Sequence, residues 1–338
     1  MVKKAYPSYY KSLMDESIYP SAKRRIKYEE THNSHLFRAG DYIYKIQRTR
    51  AEENLAIKER FATETLQIGK RWAPEVVEEL LPLHSREDGT FGFGPPGELV
   101  DFVLKSVQVS ENYWLHKQIA KGKFTPTAVG RLARYLAEQH TAHPAADGGA
   151  DAGRPEHLHE LADEVFYQAK KYTDKALPEQ LLNVVSLPFF RFVTENRKLF
   201  QRRQKKGRIV ECHGAFLPEH IFLRSREIFA ISPVAGHQKY RILDAANDVA
   251  LLTNALELLG EKETQALFVK RYGTAARDRD LDRLLPVFQT FQAMRMGLMY
   301  CEWQAEEGVS DDQKHEWLHL AQTYYNLAAT RARSIPRD

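Results

Sequence analysis

The first hundred residues contain several short runs typical of strands and one long run typical of a helix. Two β-prone runs, over 35–37 and 42–46, flank Gly40 and predict a β-hairpin. A helical pattern follows over about 51–72 and stops where a proline begins the next segment. A further strand is predicted over 99–104. The N-terminal part is therefore expected to combine a sheet with a helix.

From residue 108 onward the pattern is mainly helical. Thr125-Pro126 has the residue types of a helix N-cap and first helical position, and the apolar residues that follow recur at the spacing of an amphipathic helix. The segment 144–155 is rich in Ala, Gly and Asp and predicts a flexible surface loop. Two short strands are predicted at 208–212 and 228–231. Apolar residues at helical spacing predict further helices near 249–259, 262–272, 281–303 and 311–331.

A strand-rich part followed by a larger helical part is typical of the α+β class. We therefore predict two lobes. The smaller N-terminal lobe, over 1–104, contains a sheet and a helix, and the C-terminal lobe, over 105–338, is mainly helical with strands around 208–231. The length of 338 residues also suggests about two domains.

The composition is that of an ordinary globular protein. Hydrophobic residues make up 43% of the chain and charged residues 28%, which excludes wholesale disorder. The net charge of +4 comes from 49 basic and 45 acidic residues and is weak support for a nucleic-acid partner. Two cysteines, Cys212 and Cys301, fit a reducing compartment. Because no apolar run is long enough for a bilayer and the N-terminus has no apolar signal core, we expect a cytoplasmic protein with no membrane partner.

Several segments carry a pattern that is informative when they are taken together. They are Glu30-Thr31-His32 before 40–46, Glu64 with 70–75, the strand 100–105 with the helix pair 114–140, Glu211-Cys212-His213-Gly214, and Asp244-x-x-x-Asp248-Val249-Ala250. Their combination resembles the aminoglycoside-phosphotransferase-like proteins of the kinase-like superfamily and covers roughly residues 28 to 300. The resemblance implies a two-lobed, protein-kinase-like fold.

The resemblance also implies roles for Lys45 and Glu64 in nucleotide binding. Lys45 corresponds to the strand lysine that pairs with the α- and β-phosphates, and Glu64 corresponds to its helix partner. A cation on a rigid strand suits phosphates, and a buried lysine needs a carboxylate to stay charged. Without the surrounding segments, the same residues would be a solvated strand lysine and an ordinary glutamate on a helix face.

The catalytic loop departs from the pattern of its relatives, which is His-Gly-Asp, four further residues and Asn. This chain has Ala215 where the relatives have the aspartate that accepts the proton of the substrate hydroxyl, and His220 where they have a metal-binding asparagine. A second metal-binding aspartate of the family aligns at or near Ala230, and no acidic residue occurs over 228–243. The resemblance thus implies a degenerate site at His213, Ala215, Glu219, His220 and Ala230.

These replacements have a predictable cost. A general base contributes about 10² to 10⁴ in rate, and a metal ion adds several kcal/mol of stabilisation to the transferring phosphoryl group. The resemblance makes Asp244 and Asp248 structural residues that brace the loop through backbone hydrogen bonds. Glu219 is the only acid inside the loop, and one glutamate cannot supply the oxygen ligands that Mg²⁺ requires.

We therefore predict a pseudokinase that acts by binding. Its ligand is ATP, another nucleotide or a related small molecule, with Mg²⁺ not expected to bind in the usual way, or else a protein partner. The alternative is an active small-molecule kinase whose acidic residues have moved, with Glu219 as the candidate.

A third hypothesis comes from His315-Glu316-Trp317-Leu318-His319, which matches the His-Glu-x-x-His pattern of zinc peptidases. Zinc needs a third protein ligand, and downstream of His319 only Asp338 could serve. The two histidines also lie opposite the apolar stripe of the predicted helix. We favour two surface histidines over a zinc hydrolase.

Three other features have simpler interpretations. The glycine-rich segment 92–97 contains two prolines, which lack the amide donors of a phosphate-binding loop. The basic run 197–208 is interpreted as a solvated helix end and loop, and nucleic acid is not expected to bind it. Cys212 is interpreted as a buried thiol.

Overall fold

The computed structural model describes residues 6–20, 25–48, 54–225, 227–306 and 309–337. The chain forms two compact units. The first comprises Met1–Glu111 and Ile231–Gly236, and the second comprises Asn112–Ala230 and His237–Asp338.

The described residues of the first unit form an antiparallel sheet of six strands and two α-helices. The strands are β1 (Lys27–Glu30), β2 (Ser34–Ala39), β3 (Tyr42–Gln47), β4 (Val77–Ser85), β5 (Phe91–Phe93) and β6 (Glu98–Val107), in the order β1-β2-β3-β6-β4-β5. The helices are α1 (Tyr10–Leu13) and α2 (Leu55–Trp72). The predicted hairpin, the strand near 99–104 and the described part of the helix over 51–72 are confirmed; residues 51–53 lie outside the described residues.

The β2–β3 hairpin positions Lys45. Its two-residue turn begins with Gly40, whose φ of 58° lies in the left-handed region that glycine adopts at little cost. Tyr44 and Ile46 are buried in the hydrophobic core of the unit. Because side chains alternate along a strand, Lys45 points to the other face of the sheet.

The second unit is mainly helical and contains two small antiparallel pairs of strands. Its helices are α3 (Leu115–Ala120), α4 (Pro126–Ala142), α5 (Pro155–Ala169), α6 (Glu179–Glu195), α7 (Arg197–Lys205), α8 (Ala246–Leu258), α9 (Lys262–Ala275), α10 (Leu281–Gln304) and α11 (Asp311–Arg333). Strand β7 (Ile209–Glu211) pairs with β10 (Ile242–Asp244), and β8 (Ile221–Leu223) pairs with β9 (Ile228–Ala230).

Helix α10 passes through the core of the second unit. Most of its residues are buried, and it packs against α8 and α11. Gly297 permits the close approach of α11, because a Cβ atom at this position would lie 2.6 Å from the Tyr325 ring. The α10 side chains that reach the candidate site are therefore carried by a rigid element.

The segment 144–155 is not the flexible surface loop that its composition suggested. The Ala145 N–H donates to the Ile209 carbonyl oxygen at 3.2 Å, and Pro144 forms a β-bridge with Val210. A Cβ atom at Gly149 would collide with the Ile209 side chain. Small residues are present here because the segment packs closely on β7.

The basic run 197–208 also differs from its prediction as a solvated segment. Arg203 is fully buried, and its guanidinium binds the carboxylates of Asp244 and Asp278 with four hydrogen bonds of 2.5–2.8 Å. Arg202 pairs with Asp280 at the surface. Part of the run is therefore a structural ion-pair network.

In the part of the chain that the structure describes, no helix combines the length and the apolar character needed to cross a bilayer.

Candidate functional site

The loop 212–220 connects β7 to β8 in the second unit. Asp248, in the first turn of α8, fixes the start of this loop: its carboxylate accepts hydrogen bonds from the backbone N–H groups of His213, at 2.7 Å, and Gly214, at 2.9 Å. Gly214 has a φ of 74°, which a residue with a side chain adopts only with strain. The loop therefore has a defined course.

Asp248 belongs to a buried polar cluster. Its Oδ2 lies 3.2 Å from His140 Nε2, and His140 Nδ1 lies 2.7 Å from the Tyr272 hydroxyl. His140, Asp248 and Cys212 form the one group of three potential metal ligands found among the described residues. Burial raises the pKa of the Cys212 thiol well above its ordinary value, so the thiol stays protonated. We interpret the cluster as a hydrogen-bonded core that supports the loop.

The middle of the loop presents few side-chain groups that could take part in a reaction. The Ala215 carbonyl oxygen accepts hydrogen bonds from the Leu217 N–H at 2.9 Å and from His220 Nδ1 at 2.8 Å. His213 is buried, with its ring 5.8 Å from that of Phe216. Glu219, the one acid of the loop, has an exposed side chain. The loop thus folds back on its own backbone.

Ala230 ends β9 and is fully buried. The Tyr135 side chain hydrogen-bonds with the backbone of Ala230. The position therefore offers a methyl group and no metal ligand.

The residues at the loop do not fit Mg²⁺. This ion needs near-octahedral oxygen ligands, usually one or two carboxylates with waters and phosphate oxygens. Positions 215 and 230 supply methyl groups, and position 220 supplies an imidazole. The carboxylate of Asp248 is already bound to two backbone N–H groups and to His140. We derive no catalytic step through this ion.

Aromatic side chains and one arginine adjoin the loop. Arg295, on α10, donates from Nη2 to the Gly214 carbonyl oxygen at 3.1 Å, and its guanidinium lies 5.5 Å from the centre of the Tyr240 ring. The rings of Tyr300 and Tyr324 stack with centres 5.8 Å apart. Burial, with a smaller effect of the Glu219 charge, raises the pKa of Tyr300 to about 12. The charges of Arg295 and Glu219 therefore act on tyrosine side chains that stay protonated.

Lys45 and Glu64 lie in the first unit. Lys45 is half-buried, and burial lowers the pKa of its ammonium group. Within the described residues, its Nζ has no ion pair, and the structure does not bring Glu64 to it. The Glu64 carboxylate instead accepts the Gly236 N–H at 3.0 Å. A different pair joins helix to sheet, with Lys58 of α2 bound to the buried Asp101 of β6 at 3.0 Å.

Asp244 differs from Asp248 in what it contacts. Its carboxylate binds Arg203 and the Ala246 N–H, so it acts on α7 and on the start of α8. Of the two aspartates, Asp248 is the one seen to bind the backbone of the loop.

His315 and His319 lie on α11 with exposed side chains. His315 Nδ1 bonds the Asp311 carbonyl oxygen at 2.7 Å. No group of three potential metal ligands within the described residues includes either histidine.

Two residues of the site were not found by sequence reasoning. Arg295 and His140 both occur in amphipathic or buried helices, where one polar residue among apolar neighbours has no distinguishing pattern. Only their contacts with the loop and with Asp248 mark them.

The comparisons with known proteins agree on the fold. The structure resembles an aminoglycoside 2'-phosphotransferase solved as its GDP complex, with a TM-score of 0.52 and 15% identity, covering 95% of this chain and 99% of that one. It also resembles a choline/ethanolamine kinase family protein from Mesorhizobium loti, with a TM-score of 0.52 and 13% identity, covering 97% and 99% of the two chains. An ethanolamine kinase of Plasmodium vivax matches with a TM-score of 0.50 and 13% identity, covering 90% and 82%.

The matches in sequence are weaker. Uncharacterized proteins of Mycobacterium bovis and Mycobacterium tuberculosis are 25% identical over 134 residues, which is 40% of this chain and 27% of theirs. The match therefore spans about a quarter of the length of these relatives. No family model matches the chain.

The chain has the α+β, kinase-like fold of the aminoglycoside phosphotransferases and the choline/ethanolamine kinases. The fold class and the resemblance inferred from the sequence segments are confirmed at this level.

Proposed function

We propose that this phosphotransferase-like protein is a pseudokinase, which acts by binding a ligand rather than by transferring a phosphoryl group. The observation that carries the proposal is the chemistry of the loop. Ala215, His220 and Ala230 present no carboxylate, and the carboxylate of Asp248 is engaged with the backbone.

Phosphoryl transfer requires charged groups that this loop does not supply. An alcohol attacks a phosphoryl group when a base removes its proton and when metal ions neutralise the charge that develops on the phosphate oxygens. A methyl group at position 215 does neither. Glu219 is exposed, and a single carboxylate at the surface does not provide the converging ligands of a metal site.

We propose Lys45 as the anchor of the ligand in the first unit, with a nucleotide as its occupant. Burial without a neighbouring carboxylate disfavours the charged ammonium, and a phosphate group beside it would offset this cost. The related aminoglycoside phosphotransferase was solved with GDP, which supports a nucleotide as the first ligand to test. Glu64 belongs to the same proposed site through its contact with Gly236. A protein partner is the other occupant that the proposal allows.

Thermal unfolding in the presence of nucleotides tests whether the protein binds a nucleotide. We expect ATP or ADP, at about a hundred times its Kd, to stabilise the protein by about 2.7 kcal/mol, equally with Mg²⁺ and with EDTA. Lys45→Met should abolish the shift. Lys105→Met is the matched control, because it removes a lysine of the neighbouring strand that pairs with Glu78 and Glu79. The absence of any shift, or a shift that needs Mg²⁺, would contradict nucleotide binding of this kind.

A small-molecule kinase with a relocated acid is the second candidate. It is favoured by the exposed position of Glu219, whose charge acts on Tyr300 and Tyr324. In that case Glu219 would take the proton of a substrate hydroxyl. Measurement of phosphoryl transfer, with Glu219→Gln as the variant, separates this candidate from the pseudokinase.

A further inference from the structure

Arg295 is a basic residue in direct contact with the loop 212–220. It projects from the buried helix α10, and its Nη2 donates to the Gly214 carbonyl oxygen at 3.1 Å. Its Nε donates to Gln292 Oε1 at 2.7 Å, and the Tyr240 ring covers its guanidinium at 5.5 Å. These three contacts hold the guanidinium next to Gly214.

This guanidinium has no carboxylate partner among the described residues. Three other arginines with little exposed side-chain surface do have one: Arg203 binds Asp244 and Asp278, Arg241 binds Glu211, and Arg331 binds Glu257. Asp248 acts on Arg295 electrostatically, but its oxygens are already bound to two backbone N–H groups and to His140. A charge taken out of water without a counterion is costly, so a positive charge at this place calls for an anion.

The guanidinium also has donors to spare. A guanidinium carries five N–H groups, and the bonds to Gly214 and Gln292 use two of them. Their planar arrangement matches the oxygens of a phosphate group, to which arginine can donate two parallel hydrogen bonds. Tyr324, on which Arg295 acts electrostatically, is a phenol whose pKa is raised by burial, so it remains a hydrogen-bond donor.

We propose that Arg295 and the backbone at Gly214–Ala215 form a phosphate-binding subsite that works without a metal ion. The relatives place an aspartate at position 215, and this chain has an alanine next to an arginine that lacks a counterion. The sign of the charge at the loop is therefore reversed, from one that attracts a cation to one that attracts a phosphate. This inference rests on the proposed function only in treating the loop as a binding site.

Binding of inorganic phosphate, measured by titration calorimetry in a low-salt zwitterionic buffer, tests the subsite. Low salt is needed because ions screen the attraction between the guanidinium and phosphate. The wild-type protein should bind phosphate equally with EDTA and with Mg²⁺. Arg295→Gln, which removes the charge but keeps a side-chain donor, should weaken binding by about tenfold or more. Ala215→Asp should weaken it similarly, because the new carboxylate would occupy the guanidinium.

Arg283→Gln is the matched control, since Arg283 lies on the same helix and bonds the Asn196 side chain. It should leave the affinity for phosphate unchanged within about twofold. Circular dichroism and thermal unfolding check that each variant is folded, and Ala215→Asp serves as the independent variant if Arg295→Gln does not fold.

The proposal is overturned if the wild-type protein does not bind phosphate, if binding requires Mg²⁺, if Arg295→Gln binds as well as the wild type, or if acetate binds and phosphate does not. Each of these results can be distinguished from failure of the pseudokinase proposal. That proposal fails on observed phosphoryl transfer, which the phosphate titration does not measure.

Discussion

Asp248 keeps the loop 212–220 in position. Its carboxylate accepts two backbone N–H groups and contacts His140, and its side chain is fully buried. Hydrogen bonds to a charged group contribute more than those between neutral groups. The Asp248 carboxylate is therefore the structural support of the loop.

We expect Asp248→Asn to destabilise the protein. The amide can accept from one backbone N–H, but its NH₂ group faces the other donor, which leaves a buried group unsatisfied at a cost of about 2–4 kcal/mol. Urea unfolding followed by circular dichroism measures the change. Asp174→Asn, at an exposed turn, is the control and should lie within about 0.5 kcal/mol of the wild type. Equal stability of the two variants would contradict the structural role of Asp248.

Individual residues of the site were predictable to very different degrees. The flanking His213-Gly214 and Asp248 set the register from which Ala215 and His220 are predicted as altered positions of the loop, and this stays a prediction. Arg295 was not identified, because it lies 80 residues from the loop in sequence and meets it only through the packing of α10. Glu64 was paired with Lys45 by the resemblance, whereas the structure shows its carboxylate on Gly236.

Helix α7 shows how a short basic element becomes structural. Arg203 bridges Asp244, at the end of β10, and Asp278, in the turn before α10, and all three side chains are almost completely buried. Because β10 pairs with β7, this network holds the strand that leads into the loop. Helix α7 therefore supports β7, the strand that leads into the loop of the candidate site.

Replacement of Arg203 by methionine should be among the most damaging changes in the second unit. Two carboxylates would remain buried without a cation, and breaking a buried pair in this way costs about 3–5 kcal/mol. The same replacement at Arg202, which pairs with Asp280 at the surface, should cost less than about 1 kcal/mol. Denaturant unfolding of both variants measures the difference. Similar losses for the two would mean that the buried network contributes little.

Helices with a long periodic pattern of apolar residues were predicted well. Elements whose course depends on contacts with other segments of the chain were not. The helices near 262–272, 281–303 and 311–331 were found because many apolar residues repeat at one spacing. Strand β8 was missed, since three consecutive apolar residues have no period. The composition of the segment 144–155 predicts a flexible surface loop, whereas Ala145 and Gly149 lie against Ile209 of β7.

The whole molecule shares its fold with proteins of very different sequence. Structures of kinases match nearly the full chain at only 13–15% identity, because many sequences satisfy the same pattern of buried positions. The fold was therefore accessible from scattered sequence segments. The proposed loss of activity depends instead on the three side chains at positions 215, 220 and 230.

Phosphoryl transfer from ATP is the measurement that tests the central claim most directly. The assay supplies γ-labelled ATP with Mg²⁺ or Mn²⁺ and a panel of hydroxylated acceptors that includes aminoglycosides, choline, ethanolamine and sugars. We expect transfer slower than about 10⁻² s⁻¹, at least a hundredfold below the slow end of typical kinases, and unchanged in Glu219→Gln. Transfer to any acceptor at about 1–100 s⁻¹, abolished in Glu219→Gln, would contradict the account and identify the protein as an active kinase with a relocated base.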